Sequence, residues 1–193
     1  MGLFNIYLEE KTVSVIAVFP GRFQPFHKGH LDIYKKLIEK FGKTNIYIIT
    51  GDNLNSKNKE NNPLNFKQKK ELIASVGIPK NRIIKMKGSA YNIDNIFSSL
   101  KKNKKDFKLI VCFSEKDLGI KNLGKTYKPF KNISLMKTAD KNGYIYLVPV
   151  FKNFNASDIR KRLKKNTLKG VLNKIPENPD YLRLLKNFFN ITE

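Results

Sequence analysis

The sequence has no tryptophan, a single cysteine and only two histidines, His27 and His30. A structural zinc site takes about four cysteine or histidine ligands, so this scarcity argues against zinc. The cysteine, Cys112, lies in the apolar run 109–113, where a small buried residue is expected and a nucleophile is not. Cysteine catalysis and a protein-built zinc centre are therefore disfavoured.

Long hydrophobic runs are missing as well. No stretch approaches the roughly 20 apolar residues of a membrane span, and residues 1–10 lack the apolar core and basic flank of a signal peptide. We therefore expect a cytoplasmic protein without a membrane association. No glycine- or serine-rich linker divides the 193 residues. Residues 1–193 are expected to form one domain, with about 166–193 as a helical C-terminal extension.

Acidic residues are few, since 16 Asp and Glu stand against 38 Lys and Arg, for a formal net charge of +22. Clustered cations attract nucleic acids because they release counterions from the phosphate backbone. Here nearly all the cations are lysines, scattered among many asparagines and isoleucines. That distribution favours compositional drift, so we expect nucleic-acid binding that is weak and nonspecific at most.

Apolar runs of strand length alternate with segments of helical spacing along the chain. This alternation predicts βαβ units and an open parallel α/β sheet of about five strands, with helices on both faces. Asn65 is the expected N-cap of the second helix, and Gly77 is its expected end. The predicted strands are 13–20, 45–51, 82–86, 108–113 and 144–148. The predicted helices are 31–38, 64–76, one that begins at Asn92 or Asp94 and runs to 102, 157–165 and 181–189.

The segment Gly21–His30, GRFQPFHKGH, lies between the first predicted strand and the first predicted helix. A turn in that position exposes backbone N–H groups and the positive end of a helix dipole, which suit a polyphosphate. Gly21 permits close approach to the backbone, and Arg22 supplies a fork of donors. His27 and His30, three residues apart, can face the same side. The pattern predicts an anion site. Ordinary surface histidines, or a metal pair with further ligands, are the alternatives.

Two further polar segments follow predicted strands, and the carboxyl ends of parallel strands meet at one edge of a sheet. Residues 114–117 (SEKD) follow the fourth strand, and residues 155–160 (NASDIR) follow the fifth and open a helix. We expect both to face the same crevice as Gly21–His30. In the structural alternative, Asn155 or Ser157 only caps the helix, and its arginine lies on the exposed face.

Gly21–His30 resembles the phosphate-binding signature of the nucleotidylyltransferase superfamily, in the form found in nicotinamide mononucleotide adenylyltransferases of the archaeal type. Cytidylyltransferases and pantetheine-phosphate adenylyltransferases carry looser versions, usually with Asp where Gln24 stands. Residues 155–160 resemble the second signature of the superfamily, usually Ser-x-Thr-x-x-Arg. Its Ser, Thr and Arg positions are occupied here by Asn155, Ser157 and Arg160.

The resemblance implies a Rossmann-like nucleotidylyltransferase. Such an enzyme transfers a nucleoside monophosphoryl group from a nucleoside triphosphate to a phosphorylated acceptor and releases pyrophosphate, with Mg²⁺ held mainly by the phosphates. The implied catalytic residues are His27 and His30 on the α- and β-phosphates and Arg160 on the β,γ side. The implied nucleotide-binding residues are Gly21, Arg22, Phe23, Gly29, Asn155 and Ser157.

Within the superfamily, Arg22, Gln24 and Phe26 favour ATP as donor and nicotinamide mononucleotide, or its nicotinate form, as acceptor, and hence NAD biosynthesis. The alternative is a cytidylyltransferase or adenylyltransferase for another phosphorylated acceptor. An alternative of a different class is a noncatalytic nucleotide- or nucleic-acid-binding protein. The sequence leaves a homo-oligomer open.

Residues that contact the acceptor follow less directly from the resemblance. Many of these enzymes stack the nicotinamide on a tryptophan, which this chain lacks, so another aromatic residue has to substitute. The candidates are Tyr91, Phe97 and Tyr127. Residues 114–117 resemble a nucleotide- or substrate-contacting loop of the superfamily, and they add Ser114 and Asp117 to the expected substrate contacts, together with Gln24.

Overall fold

The computed structural model describes residues 13–52, 61–114, 126–148 and 154–192. The strands in these ranges are β1 (Ser14–Pro20), β2 (Ile46–Thr50), β3 (Ile83–Lys85), β4 (Phe107–Ser114), β5 (Tyr127–Pro129) and β6 (Gly143–Val148). The α-helices in these ranges are α1 (Lys28–Phe41), α2 (Phe66–Ser75), α3 (Ile93–Leu100), α4 (Ala156–Leu163) and α5 (Pro179–Phe189).

The described strands form one sheet in the order β3-β2-β1-β4-β6-β5, and every neighbouring pair is parallel. The expected open parallel α/β sheet is confirmed, but the expected count of about five strands is one short, because the described residues form six. The unpredicted strand, β5, has three residues, two of them exposed. So short an edge strand carries no recognisable alternation of apolar and polar residues.

The position of β1 in the middle of the sheet explains why its sequence is a continuous apolar run. Ala17 and Phe19 point into one hydrophobic cluster, which α1 covers, while Ile16 and Val18 point into the cluster on the other face. Since α3 contributes to that second cluster, helices lie on both faces of the sheet, as expected. A strand buried on both faces has no polar side to alternate with.

A third hydrophobic cluster joins α2, α4 and α5 and includes Leu72, Ile159, Tyr181 and Leu185. Helix α5 therefore packs against the body of the protein. Asn65 caps α2 as predicted, since its side chain accepts a hydrogen bond from the Gln68 N–H at 2.9 Å. In the part of the chain that is described, no helix is long and apolar enough to cross a membrane.

The strand order places a crevice beside β1. From β1 the sheet continues to β2 and β3 on one side and to β4 and β6 on the other. The chain therefore continues from β1 to its neighbour on one side, β2, and from β4, by way of β5, to its neighbour on the other side, β6. Open α/β sheets bind ligands at such a switch point, which here lies at the carboxyl ends of β1 and β4. Residues 1–12, which the sequence predicts as an edge strand or a frayed arm, lie outside the described residues.

Candidate functional site

A cavity of about 570 Å³ opens at the carboxyl ends of the central strands. It is lined by residues of the segment Gly21–His30 and by the ends of β1, β2, β4 and β6. The segment 86–91 between β3 and α3 and the ring of Phe154 complete the lining. The expected crevice therefore exists, and the first signature faces it.

Three backbone carbonyl groups in the loop at the start of the signature are hydrogen-bonded by side chains from other parts of the fold. Alternate carbonyls each accept a hydrogen bond from a side chain that is distant in sequence, one from β2, one from α4 and one from α5. These bonds join Thr50 Oγ1 to Arg22 O (3.4 Å), Arg160 Nη1 to Gln24 O (2.7 Å) and the Tyr181 hydroxyl to Phe26 O. The loop conformation thus depends on long-range partners.

Gly21 makes room for a neighbouring ring within the loop. Its N–H donates to Ile49 O at 3.1 Å, and a Cβ atom at this position would lie 2.5 Å from the Phe23 ring. Phe23 is 2% exposed and has a φ of 47°. The space that the missing side chain leaves is therefore filled by Phe23, while Gly21 itself lines the cavity.

His27 and His30 form a stacked pair in the cavity wall. His27 is the N-cap of α1, and its N–H donates to His30 Nδ1 at 3.2 Å. The ring centroids are 3.7 Å apart and the ring planes are 21° apart. His27 is 6% exposed and His30 is half-buried beneath the stacked ring, so the surface alternative is excluded for His27.

Burial controls the charge of both histidines. It lowers the pKa of His27 from 6.5 to about 4. The pKa of His30 is also held well below its usual value, first by burial and then by the neighbouring His27. Both rings are therefore neutral at neutral pH. The buried Nδ1 of His27 has no hydrogen-bond partner among the described residues. Most buried polar atoms have a hydrogen-bond partner, so this atom is an exception within the site.

Gly29 lies in the first turn of α1, where it lines the cavity. A Cβ atom at Gly29 would come within 3.0 Å of Phe154, and the Phe154 ring lies parallel to the His27 ring with centroids 5.9 Å apart. The glycine therefore allows α1 to pack closely against Phe154. Sequence reasoning missed Phe154, and its position directly before the second signature was the only available signal.

The second signature begins α4 and contacts the loop of the first signature through Arg160. Asn155 is the N-cap, and its side chain accepts from the Ser157 N–H at 2.9 Å, so Asn155 does cap the helix. Arg160 is 5% exposed, which excludes the exposed-face alternative for the arginine. Its Nη2 donates to Ser157 Oγ at 3.1 Å. Burial lowers the pKa of Arg160, and the nearby Arg22 guanidinium lowers it further. The two cations are thus close enough to repel each other. Arg22 lines the cavity, whereas Arg160, Asn155 and Ser157 are not among its lining residues.

Residues 18–183 match the family described as cytidylyltransferase-like. The chain belongs to this family. It is 29% identical over 162 residues to nicotinamide-nucleotide adenylyltransferase 1 of Sulfolobus acidocaldarius, an alignment that covers 80% of this chain and 81% of the relative. It is 52% identical over 40 residues to phosphopantetheine adenylyltransferase of Mycoplasma capricolum, which covers 21% of this chain and 27% of the relative.

Two solved structures share the fold. A bifunctional NMN adenylyltransferase/ADP ribose pyrophosphatase from Francisella tularensis superposes with a TM-score of 0.64 at 23% identity, and covers 92% of this chain. The chain spans 52% of that structure. The nicotinic acid mononucleotide adenylyltransferase of Plasmodium falciparum, complexed with NaAD, gives a TM-score of 0.59 at 13% identity, with coverage of 93% and 98%. The family match confirms the resemblance seen in the sequence.

For this cytidylyltransferase-like chain, the aromatic residues expected to contact the acceptor divide into two groups. Tyr91 lines the cavity and stacks on Phe113, with centroids 5.3 Å apart and planes 22° apart. Phe97 and Tyr127 are 4% and 2% exposed and belong to the core cluster under α3, and neither lines the cavity. Of the three, only Tyr91 lines the cavity, where its contact with the acceptor stays a prediction. The expectation for Phe97 and Tyr127 is corrected, because both rings fill the core.

The remaining expected contacts are placed as follows. Gln24 is 2% exposed and does not line the cavity, because its side chain binds the backbone of Leu64. The expectation of a substrate contact at Gln24 is corrected accordingly. Ser114 ends β4, and Asp117 lies outside the described residues.

Lys69 is a residue of the site that sequence reasoning missed. It comes from α2, is 1% exposed, and its Nζ donates to Thr50 Oγ1 at 3.0 Å and to the Gly51 carbonyl. Burial lowers its pKa to about 8, although the nearby Asp52 opposes this shift. A signal did exist, because Lys69 precedes the buried pair Leu72 and Ile73 at helical spacing. Lys69 thus fixes the end of β2 where it meets the crevice.

Proposed function

We propose that this protein is a nicotinamide-nucleotide adenylyltransferase, which transfers AMP from ATP to nicotinamide or nicotinate mononucleotide and releases pyrophosphate. The observation that carries the proposal is the stacked neutral pair His27 and His30 at the start of α1, facing a crevice at the switch point of the sheet. The Sulfolobus relative, aligned over 80% of this chain, supports the choice of acceptor.

The histidines act in this proposal as hydrogen-bond donors to phosphate. Because His30 Nδ1 accepts the His27 N–H, a neutral His30 carries its proton on Nε2, which is then free to donate. The start of α1 adds the positive end of the helix dipole. Negative charge that develops between the α- and β-phosphates is therefore met by donors already in place, and such preorganisation is a large term in catalysis.

The two arginines supply the positive charge in this scheme. Arg160 is oriented by its bonds to Gln24 O and Ser157 Oγ, while Arg22 is exposed at the edge of the crevice. We assign Arg160 to the β,γ side of ATP and Arg22 to a phosphate of either substrate. The acceptor phosphate is already ionised at neutral pH, so the reaction needs no general base. Positioning and charge neutralisation then carry the catalysis.

The residues of the crevice fit a divalent cation, Mg²⁺, that is held mainly by phosphate oxygens. Within the described ranges, no group of three or more His, Cys, Asp or Glu side chains forms a protein-built metal site. Arg22 and the two neutral histidines line the crevice instead, and in this proposal they bind the phosphates themselves. When bound, the ion neutralises the leaving pyrophosphate. The protein residues orient the triphosphate to which it binds.

The acceptor is assigned to the side of the crevice formed by residues 86–91. Tyr91 lines the cavity and its ring is oriented by stacking on Phe113, so we propose it as the aromatic residue that stacks on a planar base. Ser114, Asp117, Asn155 and Ser157 remain predicted contacts. We also propose that residues 1–193 act as one domain, because α5 contacts the signature loop.

Phosphopantetheine is the second candidate acceptor. The Mycoplasma phosphopantetheine adenylyltransferase is 52% identical over its 40 matched residues, a stronger local match than that of the Sulfolobus relative. Pantetheine has no planar base, so it would not stack on Tyr91.

A matrix of donors and acceptors tests the proposal. ATP and CTP are each paired with nicotinamide mononucleotide, nicotinate mononucleotide and phosphopantetheine, and released pyrophosphate is measured with the product identified by mass. We expect ATP with a pyridine mononucleotide to be preferred. A variant with both His27→Ala and His30→Ala is the control for contaminating activity. Preference for phosphopantetheine or CTP, or no turnover with any pair, would refute the assignment.

A further inference from the structure

The hydroxyl of Tyr181 reaches from the C-terminal helix to the phosphate loop. Tyr181 is 0% exposed, and its hydroxyl donates to the carbonyl of Phe26, 155 residues earlier in the chain. Burial raises the pKa of this hydroxyl far above its usual value, so it remains a protonated donor. The helix expected as an extension therefore touches the residue directly before His27.

The Phe26 carbonyl and the His27 N–H belong to the same planar peptide group. In a trans peptide these two groups point in opposite directions. The carbonyl accepts from Tyr181, and the N–H donates to His30 Nδ1 at 3.2 Å. One rigid plane thus connects the Tyr181 hydroxyl to the ring of His30.

Helix α5 holds that hydroxyl in a fixed place. Asn178 caps the helix by accepting from the Tyr181 N–H at 3.0 Å, and Pro179 occupies its first turn. The Tyr181 ring and Leu185 pack into the cluster that α5 shares with α2 and α4. The Tyr181 hydroxyl is therefore fixed in position by the capped helix and by the packing of its ring in the core.

We propose that Tyr181 is a positioning residue for the phosphate site. By fixing the peptide group between Phe26 and His27, it holds the N–H that selects the tautomer of His30 with the proton on Nε2. Tyr181 does not line the cavity, so it acts through this peptide group. The catalytic consequence rests on the proposed adenylyl transfer, whereas the effect on the two histidines does not.

The substitution Tyr181→Phe removes the hydroxyl and keeps the ring that fills the cluster. We expect kcat to fall by roughly tenfold to a hundredfold, the scale for a small misplacement of catalytic groups, with an unchanged KM for the acceptor. Tyr144→Phe is the matched control, because it likewise removes only a hydroxyl from a buried ring, and that hydroxyl accepts from the Lys137 N–H at 2.9 Å and not from the signature loop. The control should lose stability and keep its kinetic constants.

A spectroscopic measurement tests the inference independently of activity. The chain has only two histidines, so the Cε1–H region of a proton NMR spectrum reports the site through two signals. Tyr181→Phe should shift both signals, and Tyr144→Phe should shift neither. If Tyr181→Phe kept the wild-type kcat and both histidine signals, the proposed role would be overturned. If the wild-type protein released no pyrophosphate, the proposed adenylyl transfer would fail, and the NMR spectra alone would test whether Tyr181 positions the two histidines.

The wild-type protein provides a test that does not depend on how a variant folds. Nitrogen-15 shifts of the imidazoles distinguish a proton on Nδ1 from one on Nε2. We expect the Nε2–H form for His30. The Nδ1–H form would show that the peptide N–H does not select the tautomer, and the proposal would fail.

Discussion

Gln24 and Leu64 bind each other through two hydrogen bonds that run in opposite directions. Gln24 Nε2 donates to Leu64 O at 2.8 Å, and the Leu64 N–H donates to Gln24 Oε1 at 2.9 Å. The pair joins the signature loop to the segment that enters α2. A carboxamide has a donor and an acceptor side by side, so it satisfies both groups of one buried backbone residue. A carboxylate cannot do so.

The first prediction follows from that geometry. Gln24→Glu keeps the acceptor and removes the donor, which leaves Leu64 O facing a carboxylate in a buried place. The free energy of unfolding should fall by about 3 kcal/mol, the scale for an unsatisfied buried group next to a charged one. Urea unfolding measures this loss.

Gln68→Glu is the matched control for this change. The Gln68 side chain accepts from the Asn65 N–H through Oε1, and a glutamate at this helix position accepts in the same way. We expect its stability to stay within about 0.5 kcal/mol of the wild type. If Gln24→Glu were equally stable but bound the acceptor poorly, Gln24 would contact substrate after all.

Local patterns were sufficient to predict most of the fold. The β-branched run in β1 and the cap at Asn65 are short-range signals, and both predictions are confirmed. The strand β5 gave no such signal because its three residues, at the edge of the sheet, are too few to show a period. Periodicity also cannot show which helices share a cluster, so the packing of α5 against α2 and α4 was not foreseen.

In the candidate site, too, local patterns predicted some features and gave no information about the long-range contacts. The short motif identified His27 and His30 as residues that face a crevice. The environment of each residue was not predictable, since it depends on contacts between distant segments. Gln24 and Lys69 were misread or missed for this reason: their partners, Leu64 and Thr50, lie 40 and 19 residues away.

A second prediction concerns acid stability. The folded state binds the His27 proton less tightly than the unfolded chain, because burial lowers the pKa from 6.5 to about 4. The unfolded state therefore holds more protons between those values, and stability is lost as the pH falls from 6.5 towards 4. The loss attributable to His27 should approach about 3 kcal/mol.

His27→Gln removes this titration and should unfold with a flatter pH dependence over the same range. Urea unfolding of both proteins above and within the window measures the difference. A bound polyphosphate should also raise the pKa of both rings, so that ligand binding takes up protons in this range. A His27 signal that titrates near 6.5 in the free protein would contradict the prediction.

A third prediction concerns Lys69, whose pKa burial lowers from 10.5 to about 8. The unfolded chain holds the extra proton between these values, so the contribution of Lys69 to stability should rise as the pH increases from 8 to 10.5. Asp52 and Lys85 are the charged neighbours that oppose and assist the shift. The stability difference between wild type and Lys69→Met should therefore grow in favour of wild type over this range.

Lys67→Met is the control for Lys69, because Lys67 lies on the exposed side of the same helix. Lys67→Met should leave the free energy of unfolding within about 0.5 kcal/mol of the wild type. Since both comparisons use the same background, the titrations of tyrosines and other lysines cancel. A flat difference for Lys69→Met would mean that its amine is solvated.

The fourth prediction tests Tyr91 as the platform for the acceptor base. Tyr91→Ala should raise the KM for the pyridine mononucleotide by roughly tenfold, since stacking of a base on an aromatic ring is worth about 1–3 kcal/mol. The KM for ATP should change little. Tyr91→Phe keeps the ring and should behave as wild type. Equal KM values for the acceptor in all three proteins would exclude Tyr91 from the acceptor site.

The last prediction separates the two arginines of α4. Two nitrogens of the planar Arg160 guanidinium donate to Gln24 O and to Ser157 Oγ. A lysine at this position would keep the positive charge but would have a single ammonium group in place of the two nitrogens. Arg160→Lys should therefore lower kcat by about a hundredfold and weaken the protection that ATP gives against thermal unfolding. Arg162→Lys is the control, because Arg162 pairs at the surface with Asp158. It should leave both readouts unchanged, since exposed ion pairs contribute little. If Arg160→Lys lost stability but kept wild-type kcat and ATP protection, the guanidinium would only brace the loop, and the positive charge on the β,γ side would have to come from Arg22.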